Sequence, residues 1–239
     1  MGTAVVNITT LINDRIFFNE FQPISNSSND SIFAYEAFIR TSPKINPEKI
    51  FQYGRNCGQL FKFDTAAVSN AIKEFPSSYL KKYYLFVNVF PSTIIHSDFP
   101  EFINSLLKNY PEIEGRIVFE INEDILEERF WHNKEFMVNL HFLKSIGFRI
   151  AFDDLPLSEF SITKIIKFRP HFAKLDRVWS EKLSDSKDKQ EKMALLLAYS
   201  HKKMLLVLEG IETVEDLVMA KSIGVPLLQG YFIAKPHRL

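Results

Sequence analysis

Seven short apolar runs in this sequence stop on a residue able to bind a cation, hold a phosphate or move a proton. The run 32–35 ends on Glu36, 84–87 on Asn88, 117–119 on Glu120, and 149–152 on Asp153 with Asp154 beside it. The run 171–173 ends on Lys174, 205–208 on Glu209, and 227–228 on Gln229. Carboxylates gathered at one place repel one another unless protons or cations neutralise them. A hard divalent cation does this with oxygen ligands, and no His or Cys stands at ligand spacing beside the acids, so the set favours Mg²⁺ or Mn²⁺ over Zn²⁺. One acid after a strand is ordinarily a helix cap or a solvated turn residue. The functional reading rests on recurrence at successive ends, and Asp153–Asp154 is the pair that most needs a cation.

These runs must belong to elements that bring their ends together. Helical patterns at 47–56, 59–75, 100–109, 134–145, 161–167, 189–201 and 214–222 alternate with strand-like runs at 84–89, 117–121, 148–152, 171–175, 205–208 and 227–232. Upstream, 17–24 and 32–39 flank an Asn/Ser loop and predict a hairpin. Continuous apolar strands separated by helices predict parallel strands buried on both faces. That pattern fits a barrel or a doubly wound sheet. Neither glycine-rich nucleotide loop is present among the 8 Gly, which favours the barrel. The 239 residues, with no composition shift to mark a boundary, predict one domain over 1–239, near the ~250 residues of a single (β/α)₈ barrel. Such a barrel turns the C-terminal ends of its strands to one mouth.

Composition narrows the function further. With 29 Lys+Arg against 29 Asp+Glu, a broad basic surface for DNA is excluded. With 46% hydrophobic residues and 23 Phe, so is bulk disorder. The sole cysteine, Cys57, reads as a packed residue and the six His as surface or packing residues. The start of the chain lacks a leader pattern, and no run approaches the ~20 apolar residues of a membrane span. A cytoplasmic protein with no membrane partner is expected. The mixed-charge stretch 181–192 reads as the exposed start of a helix.

The same residues carry a resemblance to the EAL-domain family, cyclic di-GMP phosphodiesterases, over about residues 21–236. Phe21-Gln22-Pro23-Ile24 resembles the family's opening strand, and Glu36-Ala37-Phe38-Ile39-Arg40 stands for its naming Glu-Ala-Leu-Leu-Arg. Asn88-Val89-Phe90-Pro91, Glu120-Ile121-Asn122-Glu123, Asp153-Asp154, Lys174-Leu175-Asp176-Arg177, Glu209-Gly210-Ile211-Glu212 and Gln229-Gly230-Tyr231 are similar to its later motifs, in order. The resemblance implies an α/β fold, a modified (β/α)₈ TIM barrel with one antiparallel strand near the N-terminus. It implies that Glu36, Asn88, Glu120 and Asp153 ligate a first Mg²⁺ or Mn²⁺, and that Asp154 binds or bridges a second. It places Lys174 and Glu209 beside the attacking water, and Gln22, Arg40 and Gln229 against the dinucleotide. Glu123 and Glu212 are implied as loop anchors.

One stretch departs from the pattern. The family's Asp-Asp-Phe-Gly-x-Gly-x-Ser-Ser is here Asp-Asp-Leu-Pro-Leu-Ser-Glu-Phe-Ser over 153–161. Both glycines are lost, and Pro156 fixes φ and removes a donor. In the family this loop helps to place the second metal and couples to homodimer formation. The expected function is therefore hydrolysis of cyclic di-GMP to pGpG. A cyclic di-GMP receptor or protein-interaction module on the same barrel is the alternative, and an unrelated metal-dependent barrel enzyme the third.

Overall fold

A tight turn folds the first two strands onto each other. Asn26 Oδ1 accepts from Ser28 N at 2.9 Å and Asn29 Oδ1 from Ser31 N at 3.1 Å, the local bonds by which Asn side chains build turns. β1 (Phe17–Asn26) and β2 (Ile32–Thr41) then pair antiparallel, with Gln22 opposite Glu36. The computed structural model describes residues 17–42, 44–122, 126–153, 159–200 and 204–239.

The other strands are β3 (Tyr84–Val89), β4 (Ile117–Asn122), β5 (Arg149–Asp153), β6 (Phe172–Leu175), β7 (Leu205–Leu208) and β8 (Leu227–Leu228). They close a barrel in sequence order. β2 to β8 run parallel, and β1 is antiparallel to both of its neighbours, β2 and β8. The modified (β/α)₈ barrel with one antiparallel strand is thus observed.

Helices return the chain outside the sheet, and their starts are locally encoded. Asn46 caps Pro47–Asn56 by accepting from Glu48 N at 3.0 Å with Pro47 in the first turn, Asn133 caps Lys134–Ser145 through Glu135 N, and Thr213 caps Val214–Ile223 through Asp216 N. Side-chain oxygens at this position satisfy amides that the helix itself cannot. Between sheet and helices lies a large aromatic core in which Trp131 meets Phe136, Phe152 and Phe168 at centroid distances of 4.9–5.5 Å.

Inside the barrel a second apolar cluster takes one residue from every strand: Ile24, Ala34, Phe86, Val118, Ala151, Phe172, Val207 and Leu227. This layer seals the floor beneath the mouth.

Three local expectations are corrected. The last strand is two residues long rather than reaching 232. Past Gln229 the backbone curls into a turn, with Ile211 N donating to Gln229 O, Phe232 N to Ile211 O and Ile233 N to Gly230 O. The stretch 181–186 is a turn and not a helix start. Leu183 is drawn into the core, Asp216 Oδ1 accepts from Ser184 N at 2.9 Å, and the helix begins at Lys187. Cys57 is exposed, not packed; it follows Pro47–Asn56 as the C-cap.

Gly230 has a packing reason. A Cβ there would lie 2.1 Å from Ile211 O and 2.2 Å from Ile211 N, both backbone atoms. Gly230→Ala is expected to destabilise the protein by about 2 kcal/mol or more in chemical denaturation, because a well-packed contact must open. A loss below ~0.5 kcal/mol, the range of neutral surface changes, would show that the turn yields freely.

Candidate active site

Successive side chains on a strand face opposite sides, so the next inward residue lies two positions along. Two positions beyond the floor residues stand Glu36 on β2, Asn88 on β3, Glu120 on β4, Asp153 on β5 and Lys174 on β6. Glu209 and Gln229 follow the ends of β7 and β8 at the same spacing. β1 runs the other way, so its counterpart, two positions before Ile24, is Gln22. Every strand therefore supplies one apolar floor residue and one polar residue above it. Asn88 and Glu120 are direct neighbours in the β3–β4 register.

Lys174 is the centre of this polar layer. Its Nζ lies 2.5 Å from Glu120 Oε1, 2.5 Å from Glu209 Oε1, 3.0 Å from Glu36 Oε2 and 3.4 Å from Asp153 Oδ1. Lys174 and Glu120 are fully buried, whereas the Glu209 side chain is 21% exposed. Burial alone would lower the lysine pKa, but the charges of Asp153, Glu120, Glu209 and Glu36 outweigh it and raise it well above its ordinary value. Burial pushes Glu120 well above the carboxylate range, and the Glu36 charge adds to this against the pull of Lys174. Glu209 is raised by burial too, opposed by Lys174 and reinforced by Asp153 and Glu36. One ammonium thus faces four acids, and the layer carries excess negative charge that ionised carboxylates cannot hold without help.

The donor set fits a hard divalent cation. Glu36, Glu120 and Glu209 bring oxygens within 4.8 Å of one another. Among the described residues, the buried atoms Glu120 Oε2, Asp153 Oδ1 and Gln229 Oε1 accept no hydrogen bond. Buried acceptors are ordinarily satisfied, and oxygen-only sites of this kind suit Mg²⁺, Mn²⁺ or Ca²⁺.

Gln229 Nε2 donates to Glu36 Oε2 at 2.9 Å and reaches Gln22 Oε1 at 3.3 Å, while Gln22 Nε2 donates to Ala234 O at 2.9 Å. Both glutamines are buried in the wall of the mouth. Asn88 opens onto a groove of about 700 Å³ lined also by Glu36, Arg40, Arg55, Phe90 and Asp153. Arg40 stands farther out along β2, where its Nε donates to Glu20 Oε2 at 2.9 Å. Glu212 is paired with Arg177 Nη1 at 3.0 Å, and both line the same mouth as Glu36, Asp153, Lys174 and Glu209. Asp154 and Glu123 lie outside the described residues, as does the altered stretch as far as 158; the helix that follows begins at Glu159.

The motifs did not reveal a buried polar group behind the groove. Asp64, on the helix Leu60–Glu74, accepts from Phe90 N at 3.0 Å, and burial raises its pKa to about 7 against that hydrogen bond. Glu127 is buried and accepts from Arg55 Nη2 at 2.8 Å and from Ser92 N at 2.7 Å. Asp64 carried a signal, as a charge amid apolar residues of a helix. Glu127 carried none, since it sits in an acidic stretch that reads as solvated.

A family model described as the EAL domain matches residues 6–236. The chain is 24% identical over 230 residues to the cyclic di-GMP phosphodiesterase PdeF of Escherichia coli (strain K12), covering 93% of this chain but 30% of that protein. It thus spans less than a third of that relative. The Xanthomonas citri FimX EAL domain, solved in complex with c-diGMP, superposes with a TM-score of 0.84 at 18% identity, over 97% of this chain and 92% of that one. A manganese/cy-diGMP complex of Klebsiella pneumoniae BlrP1 gives 0.81 at 22% identity, over 93% and 56%. These two likenesses concern the fold. Among the described residues no helix is long and apolar enough to cross a membrane.

Proposed function

The chain belongs to the EAL domain family, and from that premise we propose that it is a metal-dependent phosphodiesterase that opens cyclic di-GMP to the linear dinucleotide pGpG with Mg²⁺ or Mn²⁺. The observation that carries this reading is the inward polar layer, filled on all eight strands by the residue type the chemistry needs. PdeF's activity and the c-diGMP bound to the FimX domain support the choice of substrate.

Glu36, Asn88, Glu120 and Asp153 would hold the first ion, with Asp154 toward a second. When bound, the metal polarises phosphoryl oxygens and lowers the pKa of bound water. Gln229 orients Glu36 by donating to it. Lys174 and Glu209 stand beside the attacking water; Glu209, partly exposed and tied to Lys174, takes its proton. Water's oxygen bonds to phosphorus as one ester P–O bond breaks, and the proton is returned to the leaving ribose oxygen. Arg40, released from Glu20, forks onto a phosphate oxygen, and Gln22 contacts the dinucleotide from the other wall. A groove of about 700 Å³ is of the size that encloses such ligands. Glu123 and Glu212 anchor the surrounding loops. The setting is cytoplasmic, consistent with a free exposed thiol at Cys57, and a homodimer is part of the same reading.

The replaced glycines and Pro156 favour a second reading, a receptor that binds cyclic di-GMP without cutting it. Calorimetry separates the two. Cyclic di-GMP titrated into the protein with Mn²⁺ is expected to show binding followed by the slow heat of turnover. Binding heat alone supports the receptor, and no heat removes cyclic di-GMP from both readings.

A further inference from the structure

The exit of β3 hangs from two buried carboxylates that belong to other elements. After Asn88 and Val89 the chain turns, and the next free amides are tied off in sequence. Phe90 N donates to Asp64 Oδ2 at 3.0 Å and Ser92 N to Glu127 Oε2 at 2.7 Å. Pro91, between them, has no N–H to offer and starts the short helix Pro91–Ile94. Glu127 uses its other oxygen on Arg55 Nη2 at 2.8 Å. Arg55 comes from the helix Pro47–Asn56, and its guanidinium lies over the Phe90 ring at 5.3 Å. The Phe90 ring is also met edge-on by Phe51 of the same helix at 5.0 Å. Three separate segments thus converge on residues 90–92.

The Asn88 side chain is exposed in the groove, so its place is set by the backbone carrying it. A carboxylate with 1% exposure that spends both oxygens on one loop and one wall does more than fill space. Its burial is tolerated because each oxygen has a strong donor.

We infer that Glu127 is a positioning residue: it fixes the β3 exit, and through it Asn88, against the Arg55 wall of the groove, with Asp64 holding the neighbouring amide. The inference rests on Asn88 being a metal ligand, as proposed above. Groups that hold ligands in place commonly change metal affinity by about 10–100-fold when removed. Glu127→Gln keeps the shape and one acceptor but turns an amide toward a donor.

The test uses the full chain, Mn²⁺ alone as the probe, and two readouts independent of turnover. Calorimetry gives Mn²⁺ affinity, and hydrogen exchange gives the protection of the Phe90 and Ser92 amides. In Glu127→Gln, Mn²⁺ affinity is expected to fall about tenfold while both amides exchange faster and the barrel strands remain protected. Glu128→Gln, which removes a neighbouring ion pair to Lys164, is the control and should leave both readouts as in the wild type. Arg55→Met tests the same strap from its less buried end, with the same direction and a smaller change. The inference is overturned if Glu127→Gln, or Arg55→Met should the first not fold, loosens the amides without changing Mn²⁺ affinity, or changes neither. A wild-type chain that takes up no Mn²⁺ overturns the metal reading and this inference with it. Normal uptake by the wild type and unchanged uptake by the variants overturns the inference alone.

Discussion

Lys174→Met is expected to lower the melting temperature of the metal-free protein by roughly 10 °C and to cut turnover of cyclic di-GMP by at least about 1,000-fold. The ammonium is the common partner of Glu36, Glu120, Asp153 and Glu209, all within 3.4 Å. Methionine preserves the length of the chain and removes the charge. The acids are then left buried against one another. Breaking a buried pair in this way costs about 3–5 kcal/mol, and each kcal/mol moves a domain of this size by about 2–4 °C. A divalent cation that binds the acids should restore part of the loss, by about 2.7 kcal/mol at a hundredfold excess over its dissociation constant. Calorimetric scans with and without Mn²⁺ read both effects. A variant as stable as the wild type in EDTA would mean that the cage does not hold net charge.

Glu120→Gln should move stability the other way while also destroying activity. Burial and the Glu36 charge hold the Glu120 pKa well above the carboxylate range. A folded-state pKa above the unfolded one means that the unfolded chain releases its proton first. Stability attributable to this group is then full below the unfolded value and declines as pH rises toward the folded one. Glutamine cannot ionise, can still accept from Lys174, and leaves three acids for that ammonium. Metal-free Glu120→Gln is therefore expected to melt a few degrees higher than the wild type at pH 7.5, with a smaller advantage near pH 4, and to lose at least about 1,000-fold in turnover. Scans at the two pH values and initial rates check this. A lower melting temperature at pH 7.5 would show that the Lys174–Glu120 contact outweighs the repulsion.

The contrast between these substitutions shows which part of the site could be read from residue types alone. Strand-end acids were legible because a barrel sends every strand end to one mouth, and Glu36, Glu120, Asp153 and Glu209 meet there around Lys174. The residues two positions earlier, from Ala34 to Leu227, read as plain apolar strand. Their joint role as the floor needs the closed barrel, since each comes from a different strand. The end of β8 was misread because its boundary is set by tertiary contact: Gly230 must lie against the Ile211 backbone, a neighbour 19 positions away in sequence. The turn at 181–186 was hidden for a similar reason, since Leu183 looks like one residue of an amphipathic start until Asp216 takes the Ser184 amide. Glu127 was invisible altogether, because only the fold gives that acid Arg55 and Ser92 as donors.

Chromatography of cyclic di-GMP incubated with the full chain and Mn²⁺, beside Glu36→Ala, tests most directly whether the polar layer hydrolyses it. The expected result is stoichiometric conversion to pGpG by the wild type, none with EDTA, and none by Glu36→Ala. Intact cyclic di-GMP after prolonged incubation at high enzyme concentration, with Mn²⁺ and with Mg²⁺, would contradict it.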